Sequence, residues 1–246
     1  MNCNFANPLF KFINILILES EIIMERRRSM EKPASRAYQI VDQVFNAITH
    51  GVGTGLAITG LVLLILKGVA NHSPIQIVAF SIYGASLVLL FLFSTLAHSL
   101  HFTRAQKVFQ VFDHSGIFLL IAGTYTPYCL VTLGNWLGWG MLALVWLCAI
   151  LGIVVTAIYL PRWNTVPRGS TVLYIVMGWV ILFAIYPLWQ LLPAYGFWFL
   201  VGGGVIYSVG AIIYRYKFPF AHVVWHLFVL GAAMLMWFSI YGYVGS

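Results

Sequence analysis

The sequence predicts an all-α integral membrane protein with seven transmembrane helices, its N-terminus in the cytoplasm and its C-terminus outside. Three observations carry this expectation. Hydrophobic residues make up 61% of the 246 residues and charged residues only 8%. A soluble domain carries about 25% charged residues, so lipid must serve as solvent for much of the surface. The apolar runs are long, which favours helices over the short alternating segments of a membrane barrel. Basic residues recur in alternate connections between those runs.

Residues 1–29 fit this scheme poorly. The run from Phe12 to Leu18 is too short to span, Glu19, Glu21 and Glu25 follow it, and it lacks the basic start and cleavage site of a signal peptide. It reads as an interfacial helix or as an upstream stretch ahead of a start at Met24 or Met30. Residues 30–45 read as a cytoplasmic N-terminal segment and residues 46–246 as the seven-helix domain. Spans of roughly 20 residues, the length a bilayer requires, fall near 46–66, 75–100, 109–131, 136–160, 171–192, 195–214 and 220–243. Ser73-Pro74 and Pro193 stand where helix starts expect a cap or an early proline. The linkers are short, so neighbours should pack as antiparallel hairpins. No internal repeat is strong enough to suggest inverted halves.

Orientation follows from Lys and Arg. Arg26, Arg27, Arg28, Lys32 and Arg36 precede the first span, Arg104 and Lys107 follow the second, Arg162 and Arg168 the fourth, and Arg215 and Lys217 the sixth. The other side has only Lys67. By the positive-inside rule this puts the N-terminus inside and requires an odd number of spans. The net charge of +7 is thus read as facing the anionic inner leaflet of the plasma (inner) membrane rather than nucleic acid. Cys3, Cys129 and Cys148 form no ligand pattern and read as small core residues.

Charged groups at membrane depth cost roughly 2.5–3.5 kcal/mol each on insertion scales, so their presence needs a reason. Asp113 is the one acid in or beside spans two to seven, and His50, His98, His114, His222 and His226 sit at span ends, with His101 just beyond the second. The charge-derived topology brings Ser94, His98, Asp113, His222, His226 and His50 to the cytoplasmic leaflet. His222 and His226 are four apart and project from one helical face, a spacing by which two imidazoles reach one metal. Ser94 and His98 repeat it. Three imidazoles and a water form a tetrahedral zinc site of the hydrolytic type, with Asp113 to take the water's proton and Ser94 to hold water or substrate. The alternative is a set of histidines that bond one another and fasten helices. His98 and His101 compete for the third position on spacing alone. His114 projects about 100° from Asp113 and reads as a local hydrogen-bonding or interfacial residue. Asp42, Asn46 and His50 form a polar stripe that either lines a cavity or caps the helix start, in a supporting role.

Other motifs read as structural. Pro127, in Gly123-Thr124-Tyr125-Thr126-Pro127, kinks the third span with help from threonine hydroxyls bonded one turn back. Trp136, Trp139, Trp163 and Trp189 are interfacial anchors, and Gly202-Gly203-Gly204 allows close helix contact.

Asn46-x-x-Thr49-His50-Gly51, Ser94-x-x-x-His98, Asp113-His114, Gly123-Thr124-Tyr125-Thr126-Pro127 and His222-x-x-Trp225-His226, in that order, resemble the hemolysin III family. That bacterial branch is related to the progestin and adipoQ receptors, in a superfamily that includes alkaline ceramidases. The likeness runs from about residue 38 to the C-terminus and leaves residues 1–29 outside. It implies a seven-helix fold with zinc near the cytoplasmic face. The implied ligands are His98, His222 and His226, with Ser94 and Asp113 beside the metal's water, which selects His98 over His101.

Three functions follow in order of preference. The first is a zinc-dependent hydrolase of lipid amide or ester bonds, or a sensor of bilayer composition, in membrane-lipid homeostasis. The second is a receptor-like protein in which zinc is structural, and the third a cytolysin or channel. Membrane lipids are the expected partners, one of them as substrate or ligand.

Overall fold

The computed structural model describes residues 35–163, 169–216 and 218–245. The readings of residues 1–29, of Lys32, Arg168 and Lys217, and of the Trp163 side chain lie outside them. The chain divides at residue 40 into two units, and the architecture below is that of residues 41–246.

In order come α1 (Arg36–Ala70), α2 (Pro74–Ser99), α3 (Gln106–Pro127) with a π-helical extension Tyr128–Leu133, and α4 (Trp136–Trp163). There follow α5 (Gly169–Trp179), a 3₁₀ stretch Val180–Ala184, α6 (Ile185–Leu191), α7 (Ala194–Tyr214) and α8 (Ala221–Tyr243). With α5 and α6 as two halves of one span, seven helical segments are long and apolar enough to cross a membrane. No strand occurs among the described residues. Ser73 caps α2, its hydroxyl accepting from the Gln76 N–H, and Pro74 opens the first turn.

The first helix starts at Arg36, not near residue 46. Val41, Val44 and Phe45 alternate with polar residues there, so helical periodicity continues where mean hydropathy falls. Its buried side is the stripe Asn46, His50, Gly53, Ala57, Gly60, Leu64 and Gly68. Its opposite side exposes Val52, Leu56, Val62 and Leu66, which only an apolar solvent rewards. Small residues let helices approach, though not everywhere expected. A Cβ on Gly203 would meet the Met236 side chain at 3.0 Å, whereas Gly204 has open space.

The third span keeps its local logic and continues past the proline with a change of helix type. Thr124 and Thr126 donate to the Leu120 and Ala122 carbonyls, at 2.7 and 3.0 Å. After Pro127 the chain runs on as π-helix, closed by Gly134 at φ 59°. Loosening the ladder by one residue absorbs the missing proline N–H. Tyr125 does more than the sequence suggested. Its hydroxyl lies 2.8 and 2.9 Å from the Met177 and Gly178 carbonyls, beside the α5 break, where the change to 3₁₀ bonding re-pairs the ladder.

Lys67, the basic residue on the unexpected side, has a structural task. Its ammonium donates to the Tyr241 and Val244 carbonyls, at 2.7 and 2.9 Å, at the C-terminal end of α8, where the helix dipole favours a cation. Asn71 and Gln76 both donate to the Gly245 carbonyl beside it. Lys67→Met is expected to lower stability by about 1.5–3 kcal/mol, the scale of hydrogen bonds from a charged donor, with Lys67→Arg recovering part of it. Unfolding by denaturing detergent checks this, and a change under about 0.5 kcal/mol, the size of an indifferent surface substitution, would count against the clamp.

Candidate metal centre

The end of the bundle opposite Lys67 gathers the polar residues. Helix α2 reaches it with its last turns, carrying Ser94 and His98; α3 starts there with Asp113, and α8 with His222 and His226. A ligand atom from each of His98, His222 and His226 lies within 4.8 Å of the others, a cluster that could hold a metal ion. Ring centroids are 4.9 Å apart for His98 and His222, 5.0 Å for His98 and His226, and 4.6 Å for His222 and His226. The four-residue spacing on α8 places its two rings one turn apart on the same face, as the helical period requires. His98 Nε2 is buried and has no hydrogen-bond partner. A buried nitrogen left this way costs about 1–3 kcal/mol, and a metal would remove the cost. Three imidazole nitrogens also suit a borderline cation such as zinc. The residues present fit the group.

Helix α1 supports this cluster from one side. Gln43 Oε1 lies 2.7 Å from His98 Nδ1. The Asn46 carbonyl and the Thr49 hydroxyl each lie 3.3 Å from His226 Nδ1. The His50 ring stacks on His226, with centroids 3.5 Å apart and planes 12° from parallel. Asn46 donates through Nδ2 to Asp42 at 3.2 Å, so the polar stripe of α1 belongs to the site rather than serving only as a cap.

A cavity of about 290 Å³ opens beside the cluster. His50, Ser94, Asp113, His222 and His226 line it near the cluster, and the rest of the wall is largely apolar, with Ile181, Leu200 and Met236, interrupted by Thr124, Tyr128, Tyr207 and Ser208. Met236 stands ten residues beyond His226 on α8, about 15 Å along the helix axis. Ser94 is 1% exposed, and its Oγ, like both ring nitrogens of His50, has no hydrogen-bond partner. The arrangement offers a metal-binding cluster, a carboxylate and unsatisfied polar groups at one end of an apolar chamber.

His101 stands apart from the cluster. It lies in the connection after α2 and pairs through Nδ1 with Gln106 Nε2 at 3.2 Å. Burial pushes its imidazole below the usual range, against the attraction of the Asp42 carboxylate. His114 differs from expectation, since it lines the cavity beside Asp113. Two successive residues of α3 flank one chamber because it is wide enough to receive both sides of a 100° turn. Gln43 was not singled out in the sequence, and Thr49 entered only as part of the motif that carries the resemblance. The signal was available for Gln43, which precedes Asn46 and His50 by three and seven residues and shares their face.

Residues 38–237 match the family described as Haemolysin-III related. Hemolysin-3 of Bacillus cereus is 46% identical over 217 residues, covering 87% of this chain and 98% of that protein. The Hemolysin-3 homolog of Bacillus subtilis (strain 168) is 42% identical over 207 residues, covering 84% and 96%. Monocyte to macrophage differentiation factor of Homo sapiens is 27% identical over 233 residues, covering 89% and 92%. The multi-pass membrane chain described here belongs to the haemolysin-III related family.

Proposed function

We propose that this protein is a zinc-dependent hydrolase of an amide or ester bond in a membrane lipid, acting in lipid homeostasis from the cytoplasmic side of the plasma (inner) membrane. The observation that carries the reading is the meeting of three imidazoles, within 4.8 Å of one another, with the polar end of an apolar cavity. Arg104 in the connection from α2 to α3, Lys107 in the first turn of α3, and Arg215 ahead of α8 fall at that same end, which supports a cytoplasmic orientation.

His98, His222 and His226 hold the metal. When bound, zinc supplies Lewis acidity to the attacking water and to the scissile carbonyl. The Asp113 carboxylate accepts the proton of the attacking water and returns it to the departing amine or alkoxide. The Ser94 hydroxyl donates a hydrogen bond to the carbonyl oxygen or holds the water in line. The apolar walls bind an acyl chain and keep bulk water from the reacting end, where charge interactions gain strength as water leaves. Membrane lipids are the source of the substrate. A receptor with a structural metal is the second reading, favoured because the cluster ties α2 to α8, helices far apart in sequence.

Purified protein is expected to carry about one zinc per chain, as a single three-histidine site requires. His222→Ala/His226→Ala and His98→Ala should lose the metal, and His101→Ala should keep it; elemental analysis reads all four. Metal retained in the double variant would remove the site.

Asp113→Asn and Ser94→Ala should retain zinc, while Asp113→Asn lowers turnover by about 10²–10⁴-fold, the usual worth of a general base. Mass spectrometry of vesicles containing ceramide and phosphatidylcholine would detect the products. Zinc-loaded protein that stays folded only with metal, yet yields no product from any lipid offered, would establish the structural alternative.

A further inference from the structure

We infer that α1 sets the proton positions of the metal-binding histidines, and that Gln43 is the positioning residue for His98. This rests on the metal reading of the cluster and adds a part that the ligands alone do not contain. A neutral imidazole has two tautomers, and only a nitrogen without a proton can bind a metal. Which nitrogen is free is decided by what the other one touches.

For His226 the partner leaves no choice. The Asn46 carbonyl 3.3 Å from Nδ1 is an acceptor only, so that contact is a hydrogen bond when Nδ1 carries the proton. The Thr49 hydroxyl, also 3.3 Å away, lies within reach of the Phe45 and Asn46 carbonyls at 2.9 and 3.0 Å. It spends its own proton there and presents a lone pair to the ring. His226 therefore offers Nε2.

For His98 the choice falls to a side chain. Gln43 Oε1 lies 2.7 Å from Nδ1 and accepts a proton held there. The other tautomer would put the proton on Nε2, which is buried and has no partner, while Nδ1 and Oε1 would face each other as two acceptors. The Nδ1–H form satisfies one group and frees the other. Nε2 is then a bare lone pair in the cluster it shares with His222 and His226. Positions one and two turns along α1 thus act on two ligands from different helices. Gln43 is separated from His98 by 55 residues, so the helix that carries no ligand aligns those that do. Such outer partners also raise ligand basicity, and losing one costs about 10–100-fold in metal affinity.

The test uses full-length protein in detergent, labelled with ¹⁵N-histidine and stripped of metal, with His98→Ala identifying the His98 resonances. Imidazole ¹⁵N shifts and two-bond couplings distinguish the tautomers directly. The wild type should show His98 as the Nδ1–H form. Gln43→Leu should lose that form and bind Zn²⁺ about 10–100-fold more weakly in a chelator competition. Gln43→Glu, which keeps an acceptor, should restore both readouts. An Nε2–H form in the wild type overturns the inference even if Gln43→Leu fails to fold, as does a folded Gln43→Leu with tautomer and affinity unchanged. Zinc binding that survives in His98→Ala would instead defeat the metal reading, leaving the tautomer result to be judged separately.

Discussion

An imidazole in a bilayer has no water to turn to, and it cannot reach back to its own helix's carbonyls as a threonine does, so it must find its partner on another helix. His226 is where that constraint concentrates. It is 1% exposed and meets the Asn46 carbonyl and Thr49 of α1, stacks on His50, and lies edge-on to His98 of α2. One side chain thereby fixes α8 against the first and second spans. The approach of α1 is what makes this possible, and its buried stripe of small and polar residues permits the approach. The rest of that helix can then be greasy, since packing and hydrogen bonding are confined to one face.

The two ends of the bundle answer the same constraint differently. Around Lys67 the donors and acceptors are matched: the ammonium takes two carbonyls, Asn71 donates to Gln76, and both amides reach Gly245. At the histidine end, Ser94 Oγ, His98 Nε2 and both His50 ring nitrogens remain without partners although buried. Each such group costs about 1–3 kcal/mol, and native interiors keep few of them. Single buried hydroxyls are open elsewhere too, at Tyr83 and Thr132, but only the histidine end gathers several open groups where one ligand could meet them. That contrast, rather than the presence of histidines alone, favours a ligand over a hydrogen-bonded fastening.

Much of this was legible in the sequence because lipid simplifies the code. Seven long apolar runs give seven spans, and His222 and His226 share a face because four residues nearly complete a helical turn. What stayed hidden depends on relations between helices. Spacing could not choose between His98 and His101, since both stand near the end of α2; the packing of α1 and α8 makes the choice. Hydropathy could not find the start of α1, where polar residues enter a helix that continues into the site. Tyr125 looked like part of a kink motif, yet its hydroxyl acts on carbonyls of α5, 52 and 53 residues away. Gln43 had a visible place on the polar stripe but no visible partner.

The shape and lining of the cavity also bear on what the family name suggests. Hemolysin-3 is the name of the Bacillus cereus relative, and a name or a shared fold does not determine a chemistry. A conducting path must replace an ion's hydration with carbonyls, charges or water along its length. Here Asp113 and the histidines collect at one end, and the chamber beyond them is largely apolar, with Ile181, Leu200 and Met236 in its wall beside the hydroxyls of Thr124, Tyr128, Tyr207 and Ser208. An ion would find no carboxylate or histidine there beyond the metal-binding end, whereas an acyl chain would exchange lipid contacts for protein contacts at little cost. Its head group would then lie among Ser94, Asp113 and the histidines, where the unpaired polar atoms are. The asymmetry of the chamber therefore favours holding an amphiphile over passing a solute.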